Sequence, residues 1–301
     1  MSLTRDFFIS LSQNRLLNKG AKRWGLRLGA SKVVAGTDMD SAMKTIQKLN
    51  DLGIACTLDN LGEFVVQKEE ALKAKQKIIK TLHAINENQV DSHVSIKLTQ
   101  IGLDIERNFC LENMRDIMDV AKELDIFINI DMEDYAHYEQ TLDILKTLLN
   151  DFDNVGTVIQ SYLHQAEKDI LDFKGVRLRI VKGAYKENED IALQDKNAID
   201  KNFLKLIKTH LLNNSFTSIA THDHHIIKDI KEFVQENNIS KDLFEFQMLY
   251  GFRSDLQKQL VKEGYAFCTY VPFGEDWYGY FMRRLAERPQ NLNLIFKGIF
   301  S

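Results

Sequence analysis

Residues 93–132 have the sequence HVSIKLTQIGLDIERNFCLENMRDIMDVAKELDIFINIDM, which places an amphipathic segment between two β-rich runs. The runs begin at His93 and Ile126, and both contain the apolar and β-branched residues that favour strands. Between them, apolar residues at three- and four-residue spacing share one face of a helix: Leu111, Met114, Ile117, Met118 and Ala121. The stretch predicts a strand, a helix and a second strand.

The same alternation recurs along the chain. Segments with helical periodicity, such as EEALKAKQKIIKTLHAI and AHYEQTLDILKTLLN, separate β-rich runs that start roughly 20 to 40 residues apart. The eight runs are IACTLDN from Ile54, HVSIKLT from His93, IFINIDM from Ile126, VGTVIQSY from Val155, VRLRIVKG from Val176, TSIATHD from Thr217, LFEFQML from Leu243 and AFCTYVP from Ala266. Eight repeats of strand and helix predict an α/β fold of the (β/α)8, TIM-type barrel class.

A doubly wound sheet is the structural alternative, but it usually has a glycine-rich phosphate turn after its first strand. LDNLGEF follows the first run here, and neither GxGxxG nor GxxxxGK[ST] occurs in the sequence. With only 2 prolines, Pro272 and Pro289, no interdomain linker is indicated. We therefore expect a single domain over 1–301, with N-terminal helices in 1–50, the barrel in 51–274, and a capping helix with a tail in 275–301.

Composition excludes several classes of protein. With 44% hydrophobic and 27% charged residues, the chain has the mixture of a globular protein, and its net charge of −4 gives no nucleic-acid footprint. The 3 cysteines show no CxxC spacing, which argues against a disulfide framework or a zinc knuckle and for a reducing cytoplasm. The sequence contains no apolar run of about 18 residues, so it predicts no membrane-spanning helix.

The N-terminus departs from this balance, because residues 1–37 carry seven lysines and arginines against Asp6 alone. One interpretation is a helix packed on the barrel. A second is docking on the anionic cytoplasmic face of a membrane, since RDFFISLSQNRLL places apolar residues beside basic ones. A mitochondrial transit peptide is a third, although no cleavage-like break follows.

The ends of the eight runs supply polar or ionisable side chains. In a (β/α)8 barrel the carboxyl ends of the strands form the active site, so a ligand touching many strands is implied. These residues are Asp59, Lys97, Asp131, Gln160, Arg179 with Lys182, His222 with Asp223, Gln247, and Tyr270. Each alone is equally compatible with an ordinary polar loop.

The candidate site also contains a cluster of cations, which predicts an anionic ligand with phosphate or carboxylate groups. The cations are Lys97, Arg179, Lys182, Arg283 and Arg284. Beside one of them, Gly183 and Ala184 are small enough for backbone amides to approach a phosphate.

The most specific local element is YFMRRLAER, in which Arg283 and Glu287 lie four residues apart on one helix face. A surface helix with a weak ion pair would have the same spacing. The preceding aromatic run WYGYFM favours burial against the barrel mouth instead. A paired arginine fork among aromatics suits the carboxylate of a small amino or imino acid with an apolar ring.

The segment THDHH offers a metal site or a hydrogen-bonded histidine. His222 to His225 contain zinc- or iron-ligand types, but adjacent histidines at a strand end diverge and no separate His–Glu motif joins them. We therefore expect His222 to bind a ligand or a core group, and no metal.

Six motifs together resemble the monofunctional, bacterial-type proline dehydrogenase family over roughly residues 33–297. They occur in family order: SIKLTQIGLDI, NIDMED, RLRIVKGAYKE, ATHDHH, FEFQMLYGFR and YVPFGEDWYGYFMRRLAERPQN. The resemblance implies a distorted (β/α)8 barrel that binds FAD and catalyses the first step of proline catabolism.

The resemblance also implies roles for individual residues. Asp131 and Arg179 correspond to positions of catalytic importance. The substrate-binding positions are Lys97, Tyr185, Leu249, Tyr270, Arg283, Arg284 and Glu287, of which Glu287 orients an arginine. The FAD-binding positions are Met132, Gln160, Arg179, Lys182, Gly183, Ala184, Thr221 and His222.

The implied reaction is oxidation of L-proline to 1-pyrroline-5-carboxylate by hydride transfer to the flavin, with electrons passed to a quinone. The product would go to a separate pyrroline-carboxylate dehydrogenase, since 301 residues leave no room for that second activity. Three alternatives stay open: a metal-dependent barrel hydrolase centred on THDHH, a ligand-binding barrel without catalysis, and the same flavin chemistry on hydroxyproline. Against the last, Tyr270 corresponds to a tyrosine that crowds the position of a ring hydroxyl.

Overall fold

Eight parallel strands form a closed barrel in the computed structural model, which describes residues 30–287, with side chains through Arg284. Each strand pairs with the next along the chain, and the first pairs with the last. The strands are β1 (Ala55–Asn60), β2 (Ser92–Ile96), β3 (Ile128–Ile130), β4 (Val155–Gln160), β5 (Leu178–Val181), β6 (Thr217–Ala220), β7 (Phe244–Leu249) and β8 (Phe267–Phe273). The predicted (β/α)8 barrel is confirmed.

Helices precede, separate and follow the strands. They are α1 (Met39–Asn50), α2 (Lys68–Glu87), α3 (Arg107–Glu123), α4 (Tyr135–Leu148), α5 (Ala166–Asp172), α6 (Lys196–Leu212), α7 (His224–Glu236), α8 (Ser254–Lys262) and α9 (Trp277–Glu287). The quoted helical segments correspond to α2, α3 and α4. Asp38 shows how a local signal sets one boundary, because its carboxylate accepts the Ser41 N–H at 2.9 Å and caps α1.

Alternation along the strands separates an apolar layer from a polar barrel interior. In β5, Leu178 and Ile180 are fully buried in the core shared by strands and helices, whereas Arg179 between them makes its hydrogen bonds inside the barrel. In β3, Asn129 likewise points inward between Ile128 and Ile130. The inward positions therefore carry the polar chemistry.

Arg177 lies at the amino-terminal end of β5, at the end of the barrel opposite the mouth. Its guanidinium lies between the rings of Phe127 and Phe216, at 4.3 and 4.6 Å from their centroids. It also donates to Glu245 at 2.8 Å. Gln247, predicted as a mouth residue, donates to the same Glu245 at 2.7 Å and so belongs to this lower network.

The segment 30–36 runs beside α9 across the mouth of the barrel. Its backbone is tied to the strand that precedes α9, because Ala35 N–H donates to the Pro272 carbonyl at 2.9 Å and Gly274 N–H donates to the Gly36 carbonyl at 3.0 Å. The two elements share an apolar cluster of Ala30, Val33, Val34, Leu61, Trp277, Tyr278, Tyr280, Phe281 and Met282. This cluster buries the aromatic helix against the mouth.

Across residues 30–287, no helix has the length and apolar character needed to cross a membrane. The basic segment 1–29 and the tail 288–301, with the predictions made for them, lie outside the described residues.

Candidate active site

Lys97 follows the end of β2 and lies among three acceptors in the mouth of the barrel. Its Nζ donates to Asp59 Oδ2 at 3.0 Å and to Tyr270 Oη at 3.3 Å, and lies 3.4 Å from Asp131 Oδ2. The Tyr270 hydroxyl in turn donates to Asp131 Oδ2 at 2.8 Å. Residues from β1, β2, β3 and β8 thus meet at one ammonium group.

Arg179 continues this network across the barrel. Its Nη1 donates to Asp131 Oδ1 at 2.8 Å, and its Nη2 donates to Ser95 Oγ at 3.0 Å and Thr57 Oγ1 at 3.3 Å. Its guanidinium carbon lies 5.3 Å from the centroid of the Tyr270 ring. Asp131 therefore joins the two cations, Lys97 and Arg179, through its two oxygens.

Opposite charges favour ionisation of Lys97 and Asp131 in this network, whereas burial raises the pKa of Asp59. Burial works against the charged form of Lys97. The neighbouring Asp59, Tyr270 and Asp131 nevertheless raise the pKa of Lys97 well above its usual value. Burial also opposes ionisation of Asp131, yet Lys97 and Arg179 hold the pKa of this carboxyl below its usual value. Burial, together with Asp131 and Asp59, raises the pKa of Tyr270, so the phenol stays protonated as a donor.

Arg283 projects from α9 toward the loop that follows β1. Its Nη2 donates to Glu63 Oε1 at 2.7 Å, and the side chains of Arg283 and Glu63 are 34% and 16% exposed. The adjacent Arg284 lies over the Tyr280 ring, with its guanidinium carbon 5.1 Å from the centroid. The side chain of Glu287, predicted to orient one of these arginines, lies outside the described residues.

Tyr185 lies in the same part of the mouth. Burial raises the pKa of its hydroxyl, and the carboxylates of Glu63 and Glu133 raise it further while Lys97 and Arg283 oppose them. The structure thus brings together Lys97, Asp131, Arg179, Tyr185, Tyr270 and Arg283 of the predicted residues.

Gly183 turns the chain sharply at the end of β5. Its φ of +110° favours glycine, and an added Cβ would lie 2.4 Å from the Tyr162 ring. The preceding Lys182 pairs with Asp200 of α6 and lies 3.8 Å from Asp223 at the start of α7.

The remaining cofactor positions lie along the mouth between β3 and β7. Gln160 donates through Nε2 to the Glu133 carbonyl at 3.1 Å, and Met132 is 6% exposed. His222 Nε2 accepts the Leu249 N–H at 3.1 Å, and the Thr221 hydroxyl accepts the Asp223 N–H at 3.1 Å. The bonds of Gln160 and His222 join the ends of neighbouring strands, and the bond of Thr221 is local to the start of α7.

Two buried polar atoms test whether these residues suit a flavin nucleotide. Within residues 30–287, neither Gln160 Oε1 nor Arg179 Nε has a hydrogen-bond partner. Buried polar atoms normally have partners, so these two fit a polar ligand at the mouth. Gln160 Oε1 offers an acceptor and Arg179 Nε–H a donor to such a ligand.

The geometry at THDHH does not support a metal centre. No group of three or more His, Cys, Asp or Glu side chains in the described part of the chain could hold a metal ion. The His222 ring makes its bond to Leu249 and packs edge-on against Phe252. The rings of His224 and His225 lie 4.0 Å apart at the start of α7. The hydrolase alternative therefore has no ligand set here.

The site is less positive than its cluster of cations predicts, because carboxylates pair with these cations. Asp59 lies against Lys97, Glu63 against Arg283 and Asp200 against Lys182. These contacts join residues far apart in the chain, where spacing gives no signal. For Glu63 the signal was its place just after the first strand.

Glu133 was also not singled out. It lies two residues after Asp131, is 2% exposed, and accepts the N–H of Thr99 at 3.2 Å and the hydroxyl of Thr99 at 2.6 Å. Burial raises the pKa of Glu133 to about 7. A second acidic position just beyond β3, in NIDMED, is the available signal.

Sequence comparisons match this chain to one family over most of its length. A family model described as Proline dehydrogenase matches residues 42–295. Proline dehydrogenase 2 of Bacillus subtilis strain 168 is 48% identical over 299 residues, which cover 99% of each chain. Proline dehydrogenase of Deinococcus radiodurans is 42% identical over 285 residues, covering 92% of this chain and 91% of its own length.

A solved structure shares the architecture. Proline utilization A from Bdellovibrio bacteriovorus, inactivated by N-propargylglycine, superposes with a TM-score of 0.81 at 24% identity. The match covers 86% of this chain and 32% of that longer chain. At this identity the likeness supports the barrel fold alone.

Proposed function

This chain belongs to the proline dehydrogenase family, and we propose that it oxidises L-proline to 1-pyrroline-5-carboxylate with FAD as hydride acceptor. Hydride leaves the ring carbon next to nitrogen, and the nitrogen gives up its proton, so that a C=N bond forms and two electrons leave the substrate. Of the barrel's residues, the network of Lys97, Asp131, Arg179 and Tyr270 supports this assignment most directly.

The substrate carboxylate binds between Lys97, Arg283 and Arg284 in this proposal. Lys97 keeps its charge because Asp59 and Asp131 lie beside it. Among the residues that the structure describes with side chains, Arg283 donates one of its five N–H groups to Glu63, and a guanidinium can donate further ones to a carboxylate. Cations from two different elements, the end of β2 and α9, would fix the orientation of a small, rigid substrate.

The pyrrolidine ring packs among Tyr185, Leu249 and Tyr270. Tyr270 is held by two bonds, one from Lys97 and one to Asp131, so its ring has a defined position. Leu249 is half-buried and its backbone is fixed by His222. A fixed tyrosine ring favours proline over hydroxyproline, because an added hydroxyl needs space and a partner.

FAD, when bound, supplies the hydride acceptor. Gln160 and Arg179 would hold its ring system through the buried atoms that lack partners, while Lys182, Gly183 and Ala184 would face its phosphates and Met132, Thr221 and His222 would line its path. Arg179, fixed by Asp131, would favour the extra electron density that the acceptor gains when bound. Asp131 acts by holding Arg179 and Lys97 in place.

The substrate nitrogen must be neutral before hydride can leave. Asp131 is not placed to act as a strong base, because it is ionised among cations and accepts four side-chain donors. Solvent therefore takes the proton, and turnover rises with pH toward the pKa of the bound amine.

The electrons pass on to a quinone and the product to a separate pyrroline-carboxylate dehydrogenase. The meeting of Lys97, Asp131, Arg179 and Tyr270 at one mouth carries the proposal, and an absorbance spectrum tests it. The purified chain should be yellow from bound flavin, with absorbance at about 450 nm that anaerobic proline bleaches. Absence of flavin after reconstitution would contradict the proposal. Bleaching by hydroxyproline but not by proline would show that the substrate assignment is wrong.

A further inference from the structure

Glu133 is a buried carboxyl that the chemistry above does not use. It lies just beyond β3, is 2% exposed, and directs both carboxylate oxygens at Thr99 rather than at Lys97 or Arg179. Thr99 is fully buried and follows Lys97 by two residues. Two hydrogen bonds from one residue to one buried carboxylate define the position of Thr99.

Thr99 in turn holds the loop between β1 and α2, residues 61–67. Its hydroxyl oxygen accepts the Phe64 N–H at 3.1 Å, and its carbonyl accepts the Val65 N–H at 3.1 Å. Phe64 has φ of +52°, a conformation that non-glycine residues adopt only where the surroundings impose it. The neighbouring Glu63 is the residue that pairs with Arg283.

We propose that Glu133 is a positioning residue for substrate binding: its ionised carboxylate holds Thr99, Thr99 holds the 61–67 loop, and the loop places Glu63 against Arg283. The inference rests on the proposed function, since Arg283 is taken to bind the substrate carboxylate.

The direction of each hydrogen bond explains why the carboxylate must be ionised. Thr99 presents two donors, its N–H and its O–H, and an ionised Glu133 presents two acceptors. While the Thr99 hydroxyl donates to Glu133, a lone pair faces the Phe64 N–H. A protonated carboxyl, or a glutamine, replaces one acceptor with a donor and leaves one Thr99 donor poorly satisfied.

The Glu133 carboxyl changes its ionisation within a pH range in which enzyme kinetics can be measured. Burial raises the pKa of Glu133 to about 7, against the two bonds from Thr99 and the charge of Lys97, which favour the anion. The other charged and titratable groups facing it are Glu63, Tyr185 and Cys110. Burial raises the pKa values of Tyr185 and Cys110 far above neutrality, so neither ionises over this range.

The test compares wild type with Glu133→Gln at about pH 6 and about pH 8.5, using proline turnover. The titration of the substrate amine is common to both proteins, so the ratio of their KM values removes it. At the higher pH we expect the variant to have about a tenfold higher KM with similar kcat, as for loss of a charge-assisted hydrogen bond. At the lower pH the KM ratio should approach one, because the wild-type carboxyl is then protonated and, like the glutamine amide, has a donor in place of one acceptor.

A second readout does not depend on turnover. At the higher pH, hydrogen exchange at the Phe64 and Val65 amides should be faster in Glu133→Gln than in wild type. Thr99→Val should reproduce both effects without adding to them, and Thr99→Ser, which keeps the hydroxyl, should stay close to wild type. A wild type that fails to oxidise proline would contradict the proposed function, while the exchange measurement would still report on the loop.

Three outcomes would overturn the inference about Glu133. The first is a KM ratio near one at both pH values, and the second is a ratio raised equally at both. The third is a lower kcat with unchanged KM and unchanged amide exchange, which would place Glu133 at the chemical step instead.

Discussion

Arg283 of α9 donates a 2.7 Å hydrogen bond to Glu63, a residue 220 positions earlier in the chain. The pair joins the last described helix to the loop after the first strand, at the seam where β1 and β8 close the barrel. An arginine proposed to bind substrate is therefore already oriented by an acid from the protein. Its position depends on the loop as much as on its own helix.

Removing the charge of Glu63 should weaken proline binding. In Glu63→Gln we expect KM to rise by about three- to tenfold with little change in kcat, corresponding to about 1 kcal/mol for a partly exposed charged pair. Steady-state kinetics with proline measures both constants. The control is Glu263→Gln, which breaks a partly exposed pair with Lys231 on α7 and should leave KM unchanged. A lower KM in Glu63→Gln would mean that Glu63 competes with substrate instead of orienting Arg283.

Arg284 should contribute directly to carboxylate binding. Arg284→Ala is expected to weaken proline affinity by about 2 kcal/mol or more, roughly thirtyfold, because a buried carboxylate loses a charged partner. Proline titration of the flavin absorbance measures the affinity. Arg115→Ala, which removes an exposed arginine paired with Asp151, is the control. An unchanged affinity in Arg284→Ala would show that the arginine fork does not bind the carboxylate.

The sequence predicted the barrel because each strand run and helix face is a local pattern of about ten to twenty residues. It also placed Lys97 and Asp131 at neighbouring strand ends, where barrel geometry brings them together. It did not predict Glu63 beside Arg283 or Thr99 beside Glu133, because those contacts depend on loop conformations and on the closure of the barrel. The strand-end position of Gln247 does not reveal that its inward side chain donates to Glu245.

Asp131 should be critical for both stability and activity. Asp131→Asn removes the anion between Lys97 and Arg179, and we expect a loss of about 3–5 kcal/mol in the free energy of unfolding, with very low turnover. Urea denaturation measures the first and proline oxidation the second. Asp151→Asn, in an exposed pair with Arg115, should stay within about 0.5 kcal/mol of wild type. Near-wild-type stability in Asp131→Asn would contradict the buried charge network.

The same carboxyl has a defined pH dependence. Because Lys97 and Arg179 outweigh burial and hold the folded-state pKa of Asp131 below its usual 3.8, its contribution to stability is present above that value. The contribution is lost only as the pH falls through the lower, folded-state pKa. Wild type should therefore keep this contribution near neutrality, and acid unfolding should begin at higher pH in Asp131→Asn.

Glu133 should have the opposite pH dependence. Burial raises its pKa from 4.5 to about 7, so the folded state binds the proton more tightly than the unfolded state does. Its contribution to stability is complete below the unfolded-state pKa and is lost as the pH rises through the folded value. The free energy of unfolding of wild type should fall between about pH 5 and about pH 8, and Glu133→Gln should lack this decline. Glu167→Gln, in an exposed pair with Lys205, is the control and should decline like wild type. Equal slopes for wild type and Glu133→Gln would show that this carboxyl does not titrate near neutrality.

Gly251 tests how the segment 30–36 supports α9. Its φ is +82°, and an added Cβ would lie 1.7 Å from the carbonyl oxygen of Lys32, so Gly251→Ala must displace that segment. Gly175 has a similar φ of +86° with nothing within 4 Å of the Cβ position, which makes Gly175→Ala a control for backbone strain alone. We expect Gly175→Ala to lose about 1–2 kcal/mol in the free energy of unfolding with unchanged KM. Gly251→Ala should lose more and should also raise KM for proline, because the apolar cluster that seats α9 and its two arginines is disturbed. Equal losses in the two variants with equal KM values would show that α9 keeps its position without the segment.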